Sequence, residues 1–85
     1  MAGQMDRAIS NLEAILEECG SSLDSVIKTQ IMYTDPADVP AMDQVYARRF
    51  KEPPPVRTSW GVKFLAAEPG TETARVQIDC VAEVR

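Results

Sequence analysis

Apolar residues recur at three- and four-residue spacing through the first part of the chain. Met5, Ala8, Ile9, Leu12, Ile15, Leu16 and Cys19 line one face of a helix, and Asp6, Arg7, Asn11, Glu13, Glu17 and Glu18 take the other. Gly20 supplies a left-handed stop, and Ser21-Ser22 begin a turn. The period then drops to two. Over 25–34, Ile27, Thr29, Ile31 and Tyr33 alternate with Val26, Lys28, Gln30 and Met32, a strand with two mixed faces, until Thr34-Asp35-Pro36 breaks it. Helical spacing returns with Met42, Val45, Tyr46 and Phe50; Asp38 is the expected N-cap and Pro40 fits the first turn. Pro53-Pro54-Pro55 ends this helix and forces an extended chain.

Two further strands are expected. In 56–66, Val56, Thr58, Trp60, Val62 and Phe64 form the inward face, with Trp60 read as core ahead of a subunit interface; Arg57, Ser59, Gly61, Lys63 and Leu65 form the other. Glu68-Pro69-Gly70 turns the chain back. In 74–84, Val76, Ile78, Cys80, Ala82 and Val84 make an almost pure apolar face, while Arg75, Gln77, Asp79, Val81 and Glu83 look elsewhere. The order α-β-α-β-β predicts an α+β domain with two helices packed on one face of a small sheet. Three strands leave edges and a second face to cover, and self-association is the simplest cover.

Composition narrows the chemistry. The 85 residues make one domain, 1–85, with a thin core. A net charge of −4 argues against a phosphate backbone as the main partner, so nucleic acid is not expected. Arg48, Arg49 and Lys51 cluster where a helix C-terminus favours cations, which is a sufficient reason for them. The chain has no histidine, which removes the commonest general base, the Ser-His and Cys-His nucleophile systems and the usual zinc ligand. Cys19 and Cys80 have neither metal spacing nor a disulfide pattern and read as small core hydrophobes; free thiols suit a reducing compartment. Without a basic-then-apolar leader or a run of membrane-spanning length, the expected location is cytoplasmic and no membrane is involved.

Arg57 is the leading candidate for chemistry. It follows the proline run at the start of a strand. A guanidinium held there by a stiff approach offers a planar fork to a small carboxylate, with two parallel charge-assisted bonds that lysine does not reproduce. Tyr46 sits on the apolar stripe of its helix and is read as core.

Several segments in order resemble a known family. They are the run 11–28 from Asn11 to Lys28, Tyr33-Thr34-Asp35, the helix ending Val45-Tyr46-Ala47-Arg48-Arg49-Phe50, then Pro55-Val56-Arg57 and Val76-Gln77-Ile78-Asp79-Cys80-Val81-Ala82. Together they resemble the RidA/YjgF family of enamine/imine deaminases over residues 4–84. The resemblance implies a chorismate-mutase-like fold, a homotrimer and pockets in clefts between subunits. It also implies hydrolysis of reactive 2-aminoacrylate-type enamines and imines to 2-keto acids and ammonia, with no metal or cofactor. The family's arginine for the carboxylate of a small substrate falls on Arg57.

Three departures accompany the resemblance. Family members usually carry two strands, a Ser-Gly-Gln segment and an aromatic residue ahead of the first helix, and these help line the pocket; this chain begins almost on the helix. The carboxylate usually found in the last strand, associated with water activation, falls on Gln77, an amide that orients water but cannot take its proton. Asp79, two residues on, shares that face. The second helix often has Asn where Asp43 stands, and a carboxylate there repels an anionic substrate. The catalytic set expected from the resemblance is therefore Arg57 and Gln77, with Arg57 and Asp43 at the substrate. The rival reading is a carboxylate-binding or partner-binding module that has lost hydrolysis. Endoribonuclease or translation-inhibitor activity is the weakest reading, since RNA cleavage needs charge neutralisation and a base.

Overall fold

The computed structural model describes residues 1–65 and 74–84. Helix α1 runs Ala2–Glu18, strand β1 Val26–Tyr33, helix α2 Val39–Arg49, strand β2 Val56–Gly61 and strand β3 Val76–Ala82, with short 3-10 turns at Leu23–Ser25 and Pro36–Asp38. The order α-β-α-β-β and the α+β class agree with the sequence pattern. The last two strands are shorter than the expected 56–66 and 74–84, and the expected turn at 68–70 lies outside the described residues.

β1 is central, parallel to β2 on one side and antiparallel to β3 on the other. Both helices cover one face. Met5, Ile9 and Leu16 of α1 and Met42, Val45 and Tyr46 of α2 meet Val26, Ile31 and Val76 of the sheet, and Phe50 closes the cluster. Burying such side chains contributes roughly 2 kcal/mol each, which is what holds two layers together in so short a chain. The helix stripe is narrower than the spacing suggested. Ile15 and Cys19 fall on one flank of the Met5–Ile9–Leu12–Leu16 line at about 100° per residue, and both are exposed, so Cys19 is not a core residue.

Helix α1 ends as expected at Gly20, with φ of 79°. The amide of Ser21 donates to the carbonyl of Leu16 at 2.8 Å and that of Gly20 to Glu17 at 3.2 Å, the paired bonds that left-handed glycine makes possible. The cap of the second helix is displaced. Asp35 accepts from the amide of Ala37 at 2.9 Å and starts the 3-10 turn. Asp38 stands at the N-cap position without a side-chain cap bond, because its carboxylate, only 6% exposed as a residue, is taken by Arg75 at 3.1 and 2.5 Å. Arg49 joins the helices, reaching Asp6 at 2.6 Å and Glu13 at 3.3 Å.

Strand faces differ from the alternation in two places. Val26 pairs with Ala82 while Lys28 pairs with Val81, so Ile27 is an extra, bulged residue. One extra residue reverses parity: Val26 joins Thr29 and Ile31 inside, and Ile27 turns outward, about half exposed. In β2 the whole assignment is inverted. Thr29 neighbours Arg57 and Ile31 neighbours Ser59, so Arg57 and Ser59 lie on the helix-covered face. Val56 and Trp60 stand beside Lys28 and Met32 on the bare face, 68% and 39% exposed, so Trp60 is not in the core. The apolar alternation of β2 is real, but it marks the face without helices. Register against the central strand decides which face that is.

Candidate functional site

The inversion in β2 brings Arg57 under α2. Pro54 and Pro55 confine φ and carry an extended chain into the strand, and Arg57 is its second residue. Across from it, Asp43 and Tyr46 lie three residues apart on α2 and so face the same way. Nη2 of Arg57 is 2.7 Å from Oδ1 of Asp43, and Nε donates to Oγ of Ser59 at 2.8 Å. The guanidinium carbon lies 4.8 Å from the centre of the Tyr46 ring, within cation–π range. The Arg57 side chain is 22% exposed and that of Asp43 is 53%. The fork is thus oriented by three groups and open on one side.

Tyr46 is fixed from below. Its hydroxyl shares a 2.9 Å hydrogen bond with Oγ1 of Thr29, a fully buried residue, and makes a longer 3.4 Å bond to the carbonyl of Pro55. Either hydroxyl can donate in the shorter bond. Its ring also packs on Phe50 at 4.5 Å between centroids, so the core role expected for Tyr46 holds alongside this one. Ser59 and Thr29 carry no distinctive motif. Ser59 was within reach of the sequence, since it follows Arg57 by two and shares its face.

Gln77 sits elsewhere. It pairs with Met32 on the bare face of the sheet, and Asp79 pairs with Gln30 on that same face. Arg57 and Asp43 come together; Gln77 lies on the opposite side of the sheet from both. Cys80 is on the helix side of β3, and burial first, then the neighbouring Asp79 carboxylate, push its thiol pKa up. That makes it a poor nucleophile.

Two hollows lie at the start of the sheet, away from the guanidinium. One, about 340 Å³, is bounded by Leu23, Phe50, Lys51 and Pro53; the other, about 410 Å³, by Ser25, Ile27, Pro54 and Glu83. Asp24, Lys51 and Glu52 supply the charged lining of the first, and Asp24, Ser25 and Glu83 the polar lining of the second. Among the described residues no group of three His, Cys, Asp or Glu side chains is placed to hold a metal. The basic cluster is neutralised, with Arg48 and Arg49 on Asp6, and Lys51 3.4 Å from Asp24.

A two-layer α+β domain, with a mixed three-stranded sheet and a caged arginine on its edge strand, defines the class. The chain belongs to the family described as Endoribonuclease L-PSP, whose profile matches residues 1–84; this is the RidA/YjgF family. It is 33% identical over 79 residues to the chloroplastic Reactive Intermediate Deaminase A of Arabidopsis thaliana, covering 93% of this chain and 40% of that protein. It is 35% identical to the RutC family protein UK114 of Drosophila melanogaster over 93% of this chain and 54% of that one. Among solved structures, RidA from an Antarctic Psychrobacter superposes with a TM-score of 0.88 at 27% identity, over 99% of this chain and 64% of that chain. A YjgF/YER057c/UK114 family member from Mycobacterium tuberculosis does so with 0.86 at 31%, over 98% and 67%. The chain spans about half the length of the curated relatives it matches.

Proposed function

We propose that this chain provides the carboxylate-anchoring half of an enamine/imine deaminase site. The observation that carries the reading is the caged Arg57. Held by Asp43, Ser59 and the Tyr46 ring, its guanidinium is oriented before a ligand arrives, which lowers the entropy cost of gripping a small organic acid. The reaction is hydrolysis. The substrate 2-aminoacrylate tautomerises to 2-iminopropionate, water adds to the imine carbon, and ammonia leaves to give the 2-keto acid. Imine hydrolysis is facile, so positioning substrate and water supplies a useful share of the acceleration without a strong base and without a metal or cofactor.

Gln77 is the water-orienting group in this reading. Because it lies on the face opposite Arg57, a site that uses both takes them from two copies of the chain. A homotrimer with shared clefts meets that requirement. A cytosolic location belongs to the same reading, although two relatives are named as chloroplastic and mitochondrial proteins. No described helix is long and apolar enough to cross a membrane.

The test is direct. An amino-acid-derived imine is generated in situ and 2-keto acid formation is followed with the protein and with Arg57→Ala. Acceleration by the protein and its loss in the variant are expected; equal rates for the two would sink the mechanism.

One observation favours a second reading. With an amide at 77 set apart from the arginine, the position that the resemblance gives to a water-activating carboxylate cannot accept the water's proton. A carboxylate-binding module without turnover would bind 2-ketobutyrate yet hydrolyse none of the imines offered. RNA cleavage ranks below both, since Arg48, Arg49 and Lys51 are each paired with a carboxylate.

A further inference from the structure

Free Arg57 is not an empty anion site. A carboxylate already sits on it: Oδ1 of Asp43 lies 2.7 Å from Nη2, and Asp43 is a helix-surface residue with more than half its side chain exposed. A ligand that brings only a carboxylate must displace that group and then sit beside its negative charge. A ligand that carries a carboxylate and a cationic nitrogen on the same carbon meets a different situation. It can enter the ion pair, giving its carboxylate to Arg57 and its nitrogen to Asp43, so that one internal pair becomes two pairs with the ligand. The surrounding geometry suits such insertion. Arg57 is braced by Ser59 and the Tyr46 ring independently of Asp43, so the guanidinium keeps its place when the carboxylate swings aside. Among the described residues Asp43 is held by Arg57 alone, and its exposure leaves it room to turn.

We infer that Asp43 is a specificity-determining residue that makes the Arg57 site a receptor for zwitterionic 2-amino and 2-imino acids in preference to simple anionic acids. This rests on the carboxylate-anchoring reading of Arg57. For the proposed reaction it favours the substrate, whose protonated imine is cationic, over the 2-keto acid product, which carries only the negative charge. Opposite charges in contact favour one ligand and like charges disfavour the other, so the two effects add in the ratio of affinities.

The experiment is a calorimetric titration with two probes, 2-aminobutyrate and 2-ketobutyrate, which share a carbon skeleton and differ in the cationic nitrogen. The wild-type chain is expected to prefer 2-aminobutyrate. In Asp43→Asn the ratio of affinities should shift toward 2-ketobutyrate by on the order of fivefold, the size of a partly exposed charge contact. In Arg57→Ala both should bind more weakly. An affinity ratio that is the same in wild type and Asp43→Asn, with both ligands still dependent on Arg57, overturns the role of Asp43 and leaves the anchoring reading standing. If neither probe binds the wild type or Asp43→Asn, the anchoring reading and this inference fall together. Far-ultraviolet circular dichroism of the variants checks that each loss reflects the site and not the fold.

Discussion

At Tyr46, packing and positioning meet in one side chain. The ring fills the core against Phe50 and supports Arg57 on its other side, while the hydroxyl satisfies Thr29. Tyr46→Phe keeps the ring and removes the hydroxyl, leaving a fully buried threonine oxygen short of a partner. The expected cost is about 1–2 kcal/mol, read from the denaturant midpoint, with weaker acid binding through a less rigid Arg57. An unchanged midpoint would show that Thr29 finds another partner and that the hydroxyl is dispensable. In the sequence Arg57 stands out by its proline approach and its place at the start of a strand. Of the groups that cage it, Ser59 is its neighbour on β2, whereas Asp43 and Tyr46 come from α2 and no local pattern could announce those two.

At the scale of elements, the pair Arg75–Asp38 ties the start of β3 to the turn that launches α2. The two partners are unequally buried: the Asp38 side chain is 8% exposed, that of Arg75 43%. Removing either one therefore has different consequences. Arg75→Ala leaves a carboxylate in a poorly solvated place, whereas Asp38→Ala leaves a guanidinium that can turn to water. Arg75→Ala is expected to destabilise more, by at least about 1 kcal/mol, in urea unfolding. Equal losses would mean that Asp38 is solvated in practice. The two helix boundaries show how far pattern reaches here. Gly20 ends α1 where its type predicts, because the left-handed conformation is a property of glycine itself. The cap of α2 does not follow pattern, because the Arg75 guanidinium outcompetes the local backbone for the buried Asp38 carboxylate.

Across the whole molecule, the consequential feature is a sheet with one bare face. Ile27, Val56, Trp60 and Val81 are exposed on it, with Met32 and Lys28 between. A face this apolar favours association. Light scattering at tens of micromolar protein is expected to return a mass above that of one chain, with the trimer as the proposed state, and Trp60→Glu should shift it toward a monomer. A single-chain mass for the unaltered protein would remove the proposed two-copy site along with the assembly, because Arg57 and Gln77 cannot meet within one chain.

The chain's periodicities were sufficient for five elements, their order, the apolar stripe of α2 and the inner face of β3, since each depends on neighbours close in sequence. The inversion of β2, the outward turn of Ile27 and the exposure of Trp60 were not legible there. An alternating strand has two faces, and its own residues do not say which one the helices will cover. Pairing with β1 makes that choice through backbone register, and a single bulged residue is enough to reverse it. The same pairing puts Arg57 beneath Asp43 and Tyr46 and sends Gln77 to the far side, because contacts between distant segments exist only once the layers are assembled.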